Sequence, residues 1–260
     1  MSAFAVAFVH EWRKTRRSAA LWLVVAGAFF TPAIVTVARL FTHAKLPALY
    51  ATDDFWLLLW KNSWESMAIF LLPMAAILAT SLVVQLEYRN NAWKQVRTLP
   101  LGNATLFFAK LAVVLVLMAL FLVLFDVAVW FSAFVPWLMV EGVPWPGSAV
   151  PLATFTAQTA LYFVDGLPIV AATYLLGLQS RNFLVPIGVG FLIWVAALAS
   201  VSSPFGVWVP YAYTLLNYLQ LNPSARAVAV THDIHGLAVA YAIVFTAIAY
   251  ATFALQPRKG

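Results

Sequence analysis

Two carboxylates, Asp126 and Asp165, stand inside long apolar runs of this 260-residue chain. A charge at the centre of a bilayer costs at least about 2.5–3.5 kcal/mol, so an acid there faces a bundle interior or water. Gln158, Tyr162 and Asp165 follow one another at helical spacing and form a polar stripe on one face. Gly166 and Pro168 come next, and they predict a kink or local unwinding. Asp126 lies about 24 Å beyond Lys110 at 1.5 Å per helical residue, towards the far side of a membrane. Two readings stand for Asp126, Gln158, Tyr162 and Asp165. They line a translocation path or subunit interface, or the acids are protonated or hydrogen-bonded staples between helices. His232, Asp233 and His235 form a second group of zinc-binding types. No further ligand accompanies them, so they read as solvated loop residues and no metal site is expected.

Catalytic chemistry is otherwise thin. No G-x-x-x-x-G-K-[ST] run is present to cradle nucleotide phosphates, and no H-E-x-x-H or G-x-S-x-G occurs. With no cysteine there is no disulfide, thiolate metal site or cysteine nucleophile. An intramembrane enzyme is therefore the weakest of the functional readings.

The elements that carry these residues are set by composition. The chain is 64% hydrophobic and 9% charged, with a mean hydropathy of +0.90. Soluble domains carry about 25% charged residues, and disordered chains are richer still in charge. This is the composition of an integral membrane protein. The runs are apolar on all sides, which excludes the alternating strands of a transmembrane barrel. A spanning helix needs about 20 apolar residues, and that length predicts six spans at 19–41, 66–86, 106–134, 150–178, 183–201 and 237–255. No internal repeat or low-complexity linker divides them, so residues 1–260 are expected to form a single all-α transmembrane domain.

The net charge of +6 and pI near 9.7 do not point to nucleic acid, because the basic residues sit in short blocks between apolar runs. Arg13, Lys14, Arg16, Arg17, Arg89, Lys94, Arg97, Lys110, Arg181, Arg258 and Lys259 fall on one side. Only Arg39, Lys45, Lys61 and Arg226 fall on the other. The positive-inside bias then places both termini in the cytoplasm. The first apolar run continues to Phe41, longer than the core of a signal peptide, and reads as a retained span.

Three segments are more than simple spans. Residues 1–18 form a basic amphipathic helix, with Ala5, Phe8, Val9 and Trp12 on one face and Glu11, Arg13, Lys14 and Arg17 mostly elsewhere. Such a helix lies in the headgroup layer of a bilayer or acts as an ordinary positive-inside anchor. Residues 87–100 are the most polar stretch, helix-compatible and closed by Pro100 and Gly102. Trp93 within it is either an anchor at a protein interface or a seat for the loop at the membrane surface. Residues 202–236 are broken by Pro204, Pro210 and Pro223, yet carry Tyr211, Tyr213, Leu215, Leu216, Tyr218 and Leu219, which need burial. They are expected to form short helices dipping into the outer leaflet or capping the bundle.

This arrangement resembles a type-2, exporter-type ABC transporter permease. Glu87, Asn90, Asn91, Trp93, Lys94, Gln95, Pro100 and Lys110 are similar to a run found in lantibiotic-protection permeases, and Gly177, Leu178, Gln179, Asn182, Phe183, Gly188 and Gly190 to a weaker stretch. The resemblance implies that residues 87–100 are a coupling helix seated in a separate ATP-binding subunit. Glu87, Arg89, Asn90, Asn91, Trp93, Lys94, Gln95 and Arg97 would be the coupling residues, with Trp93 as anchor. ATP and magnesium would then belong to two copies of that partner, and this chain would need no cofactor of its own. A second permease subunit, identical or paralogous, a bacterial cytoplasmic membrane and an amphipathic cargo such as an antimicrobial peptide are implied with it. The alternative is a proton-coupled secondary transporter that uses Asp126 or Asp165, although no inverted repeat is visible to support it.

Overall fold

The computed structural model describes residues 2–89, 102–221 and 232–255, and every regular element among them is helical. Serines start the first two helices. Ser2 Oγ accepts from the Ala5 amide at 3.2 Å to open α1 (Ala3–Thr15). Ser18 Oγ accepts from Ala20 at 3.2 Å to open α2 (Ala19–Phe41), each cap satisfying a donor that a helix start leaves free. There follow α3 (Leu46–Tyr50), α4 (Phe55–Ser66), one π turn (Met67–Leu71) and α5 (Leu72–Arg89). After the undescribed stretch come α6 (Asn103–Met139), α7 (Leu152–Gln179) and α8 (Leu184–Ser200). Two single-turn helices (Gly206–Trp208, Pro210–Ala212) then lead into α9 (Tyr213–Gln220), and α10 (Ile234–Leu255) ends the described chain.

Five helical stretches are long and apolar enough to cross a membrane: α2, the continuous 55–86 stretch through α4 and α5, α6, α7 and α10. The expected span at 183–201 is the 17-residue α8, about 25 Å long, shorter than a hydrocarbon core of about 30 Å. The expected break at Gly166 and Pro168 is not there, since α7 runs through both as one helix.

Two prolines explain local features and create docking points. Pro73 has no N–H to give the Ile69 carbonyl one turn back, which accounts for the π turn. That carbonyl accepts instead from the Trp194 indole of α8 at 2.9 Å. Likewise Pro136 leaves the Ser132 carbonyl of α6 unclaimed, and Arg39 Nη1 of α2 donates to it at 3.3 Å. Beyond α6 the chain reverses at Gly142, whose φ of 81° suits a residue without Cβ.

At the centre, α7 packs on α10, α5, α8 and α6. Small residues let the helices close up: a Cβ on Gly166 would lie 3.1 Å from Met118, and one on Gly177 3.2 Å from Val84. On α2 only a stripe of Ala20, Val24, Ala28 and Pro32 is buried, and Trp22, Phe30 and Phe41 turn outward, a surface suited to lipid. The two ends of the bundle differ. One carries the basic residues of α1, Lys110 and Arg181. The other carries an aromatic cluster, with Trp130 stacked on Phe134 at 5.1 Å and Trp137 edge-on to Trp145 at 5.1 Å. Aromatic girdles of this kind suit a lipid–water boundary.

The face by which α1 meets the bundle differs from expectation. Ala7, Glu11 and Thr15 are buried, with Phe8 and Trp12 partly so. Glu11 was expected on the polar side, but Lys110 meets it within the bundle.

Candidate functional site

At the basic end, Glu11 binds two lysines. Its Oε2 accepts from Lys110 Nζ at 2.6 Å and its Oε1 from Lys14 Nζ at 2.5 Å. The Glu11 and Lys110 side chains are only 5% and 6% exposed. Burial alone would raise the carboxyl pKa, but the neighbouring ammonium groups outweigh it and hold the group below its ordinary 4.5. Nearby, Gln85 Nε2 of α5 donates to the Ser180 carbonyl at 2.9 Å. Tyr174 Oη of α7 donates to the Phe107 carbonyl of α6 at 2.9 Å. These bonds fasten α1, α5, α6 and α7 together around the stretch that links α5 to α6. Of the expected coupling residues, Glu87 and Arg89 end α5, while Asn90, Asn91, Trp93, Lys94, Gln95 and Arg97 lie outside the described residues.

Deeper in the bundle, Asp165 is fully buried and ties three elements together. Its Oδ2 accepts from Asn217 Nδ2 of α9 at 2.8 Å, and its Oδ1 lies 2.7 Å from His235 Nδ1 in the first turn of α10. A buried carboxylate needs such partners, because leaving it unpaired is costly. His235 is therefore no solvated loop residue. Asp233 begins the same helix by accepting from the Gly236 amide at 3.0 Å, and His232 meets the Trp208 ring at 5.6 Å. The neighbouring 3₁₀ turn is fixed alongside, with Tyr211 and Thr173 hydroxyls 3.3 Å apart and Tyr241 Oη donating to the Trp208 carbonyl at 3.2 Å. Among the described residues, no three His, Cys, Asp or Glu groups converge as a metal site.

Asp126 occupies a different setting. Its Oδ2 accepts from Thr159 Oγ1 of α7 at 2.6 Å, while its Oδ1 is buried without a close hydrogen-bond partner. The Trp64 indole N–H sits beside this carboxylate and acts on it as a long hydrogen-bond donor. Trp64 stacks on Tyr162 with ring centroids 4.0 Å apart, and Trp60 lies 5.2 Å from Trp64. Tyr162 Oη and Gln158 Oε1 are likewise buried and unpartnered. The expected stripe thus exists on α7 but divides. Asp165 turns to α9 and α10, whereas Thr159 and Tyr162 look towards α6 and α4. Sequence reasoning missed the roles of Thr159, Asn217, His235 and Glu11, because Asp126, Asp165 and Lys110, which they meet, are remote in the chain.

A third feature is an apolar hollow of about 420 Å³ between α6, α7 and α10, lined by Phe108, Leu111, Val170, Ile243 and Tyr250 among others. It contains neither carboxylate.

The profile of the family described as "ABC-2 family transporter protein" matches residues 7–212, from within α1 to the turn before α9. The chain belongs to this ABC-2 family. No curated protein matches it. Membership makes the helical bundle the membrane-embedded permease component of an ABC transporter, multi-pass and associated with an ABC ATP-binding subunit. The ABC-2 match includes Glu11, Lys110, Asp126 and Asp165, and it stops short of Asn217 and His235.

Proposed function

We propose that this ABC-2 permease is half of the membrane part of an exporter, and that residues 87–100 form its coupling helix. The observation that carries the reading is the frame around that stretch. Glu11–Lys110, Gln85–Ser180 and Tyr174–Phe107 lock four helices together where the stretch leaves α5 and enters α6. A push there would move the bundle as a body. The basic end is then cytoplasmic, in accord with the positive-inside bias, and α1 lies along the headgroup layer. The short helices between α8 and α10 would sit at the outer leaflet. Hydrolysis belongs to two copies of the partner ATPase, and a second permease subunit, identical or paralogous, completes the path. The membrane is that of a bacterial cytoplasm, and the cargo is an amphipathic compound of the antimicrobial-peptide kind, taken from the bilayer.

Proton-coupled transport by Asp126 or Asp165 is less well supported. Both oxygens of Asp165 are engaged by Asn217 and His235, which suits an anchor better than a carrier. The test is Trp93→Ala in the complex expressed with its partner. Loss of the co-purifying ATPase with normal membrane insertion is expected, and undiminished association would overturn the assignment.

A further inference from the structure

We propose that Asp126 binds an organic cation, the ammonium or guanidinium end of an amphiphile lying in the leaflet at the aromatic end of the bundle. The proposal deepens the exporter reading and rests on it. Three observations converge on this site. The first is charge. Asp126 Oδ1 is buried with only the long Trp64 contact, and among the described residues no Lys, Arg or His pairs with the carboxylate. A carboxylate in an apolar setting without a counter-charge favours a cation beside it.

The second observation is the company it keeps. Trp64 lies beside the carboxylate, stacked on Tyr162, with Trp60 packed between Trp64 and Phe155 at 5.2 and 5.6 Å. Aromatic faces attract cations, and an acid among them selects for positive charge. Trp60 Nε1, Tyr162 Oη and Gln158 Oε1 are buried and unpartnered. The third is access. Asp126 itself is only partly buried, and Val123, Val127 and Trp130 on the same helix are exposed. An apolar tail can therefore lie along α6 while its charged head turns in towards the carboxylate. Thr159 holds that carboxylate in place through Oδ2.

The experiment uses the full chain in phosphatidylcholine nanodiscs and radiolabelled dodecyltrimethylammonium, with uncharged dodecanol as competitor. The lipid's own quaternary ammonium is in large excess, so saturable binding of the probe rules out the headgroup as the occupant. Wild type is expected to show saturable binding that dodecanol does not displace. Asp126→Asn keeps an acceptor for Thr159 and should weaken binding at least about tenfold, whereas Asp126→Glu should retain it. Undiminished binding by Asp126→Asn, or equal displacement by dodecanol, overturns the proposal and leaves Asp126 a helix staple. Should the Asn variant fail to fold, Trp60→Leu decides, because it removes an aromatic face and leaves the Thr159 bond. It should weaken binding several-fold, and unchanged affinity overturns the site. No ATPase enters this assay, so its failure is distinct from a failure of the Trp93→Ala test.

Discussion

Asp165→Ala gives the most direct measure of what holds the short helices between α8 and α10. The substitution removes the acceptor of Asn217 Nδ2, and Asn217 is only 3% exposed. A buried donor stripped of its partner costs about 1–3 kcal/mol. The His235 side chain is 28% exposed, so water can replace much of its lost bond, at a cost of up to about 1 kcal/mol. The sum is about 1–4 kcal/mol. At about 2–4 °C per kcal/mol for a chain of this size, the melting temperature should fall by about 2–16 °C. Asp165→Asn keeps the shape, can accept from Asn217 through its oxygen and can donate to a neutral His235, and should cost about 1 kcal/mol. The assay is thermal unfolding in nanodiscs together with hydrogen exchange of Tyr213–Gln220. In Asp165→Ala the amides of α9 should exchange faster while those of α6 do not. A fall of less than about 2 °C with unchanged exchange in α9 would refute the anchoring role.

Glu11→Leu leaves Lys110 buried beside an apolar side chain and should destabilise the bundle by up to about 3 kcal/mol, read by thermal unfolding. Because the folded Glu11 pKa lies below the ordinary 4.5, its contribution is complete above pH 4.5 and declines as pH falls below that value; Glu11→Gln should flatten unfolding-temperature curves in that acid range. Gly206→Ala places a Cβ 2.6 Å from the Ser200 carbonyl oxygen and should cost about 1–3 kcal/mol, whereas Gly188→Ala meets open space and should be neutral in the same assay. Trp194→Phe strips the Ile69 carbonyl of its donor beside the π turn and should lower stability by about 1–2 kcal/mol in thermal unfolding.

Long apolar runs were legible where nothing polar interrupted them. The first span agrees residue for residue, 19–41 against Ala19–Phe41, because Ser18 caps it and basic residues precede it. The second apolar run points to a start at Ser66, since Lys61, Asn62 and Glu65 look like a loop, whereas the helix begins at Phe55. Their helix persists because Trp56, Leu59, Trp60, Ser63, Trp64 and Met67 recur at helical spacing on the buried face, with Ser63 Oγ bonded to the Leu59 carbonyl at 2.8 Å. The acids were found by their rarity, but their partners were not. Asn217 and His235 lie 52 and 70 positions from Asp165, and Lys110 lies 99 from Glu11, with no local pattern to announce them. Glu11 illustrates the reason. A helical wheel assigns a charge to water, and only tertiary contact can supply the counter-charge that makes its burial tolerable.

The length of α6 has a mechanical consequence. Its 37 residues make a rod about 55 Å long, against a hydrocarbon slab of about 30 Å. Even at a tilt of about 40°, it reaches about 43 Å along the membrane normal, so more than a turn projects into the polar layers. The 55–86 span, by contrast, carries a joint, the π turn between α4 and α5. In α6 the proline is Pro136, three residues from the far tip and beside the Arg39 contact. Under the proposed coupling, a stroke delivered near Lys110 would be carried by an unjointed pushrod past Asp126 to the aromatic end. Such a rod shortens the distance over which two sides of a membrane must communicate to a single rigid part.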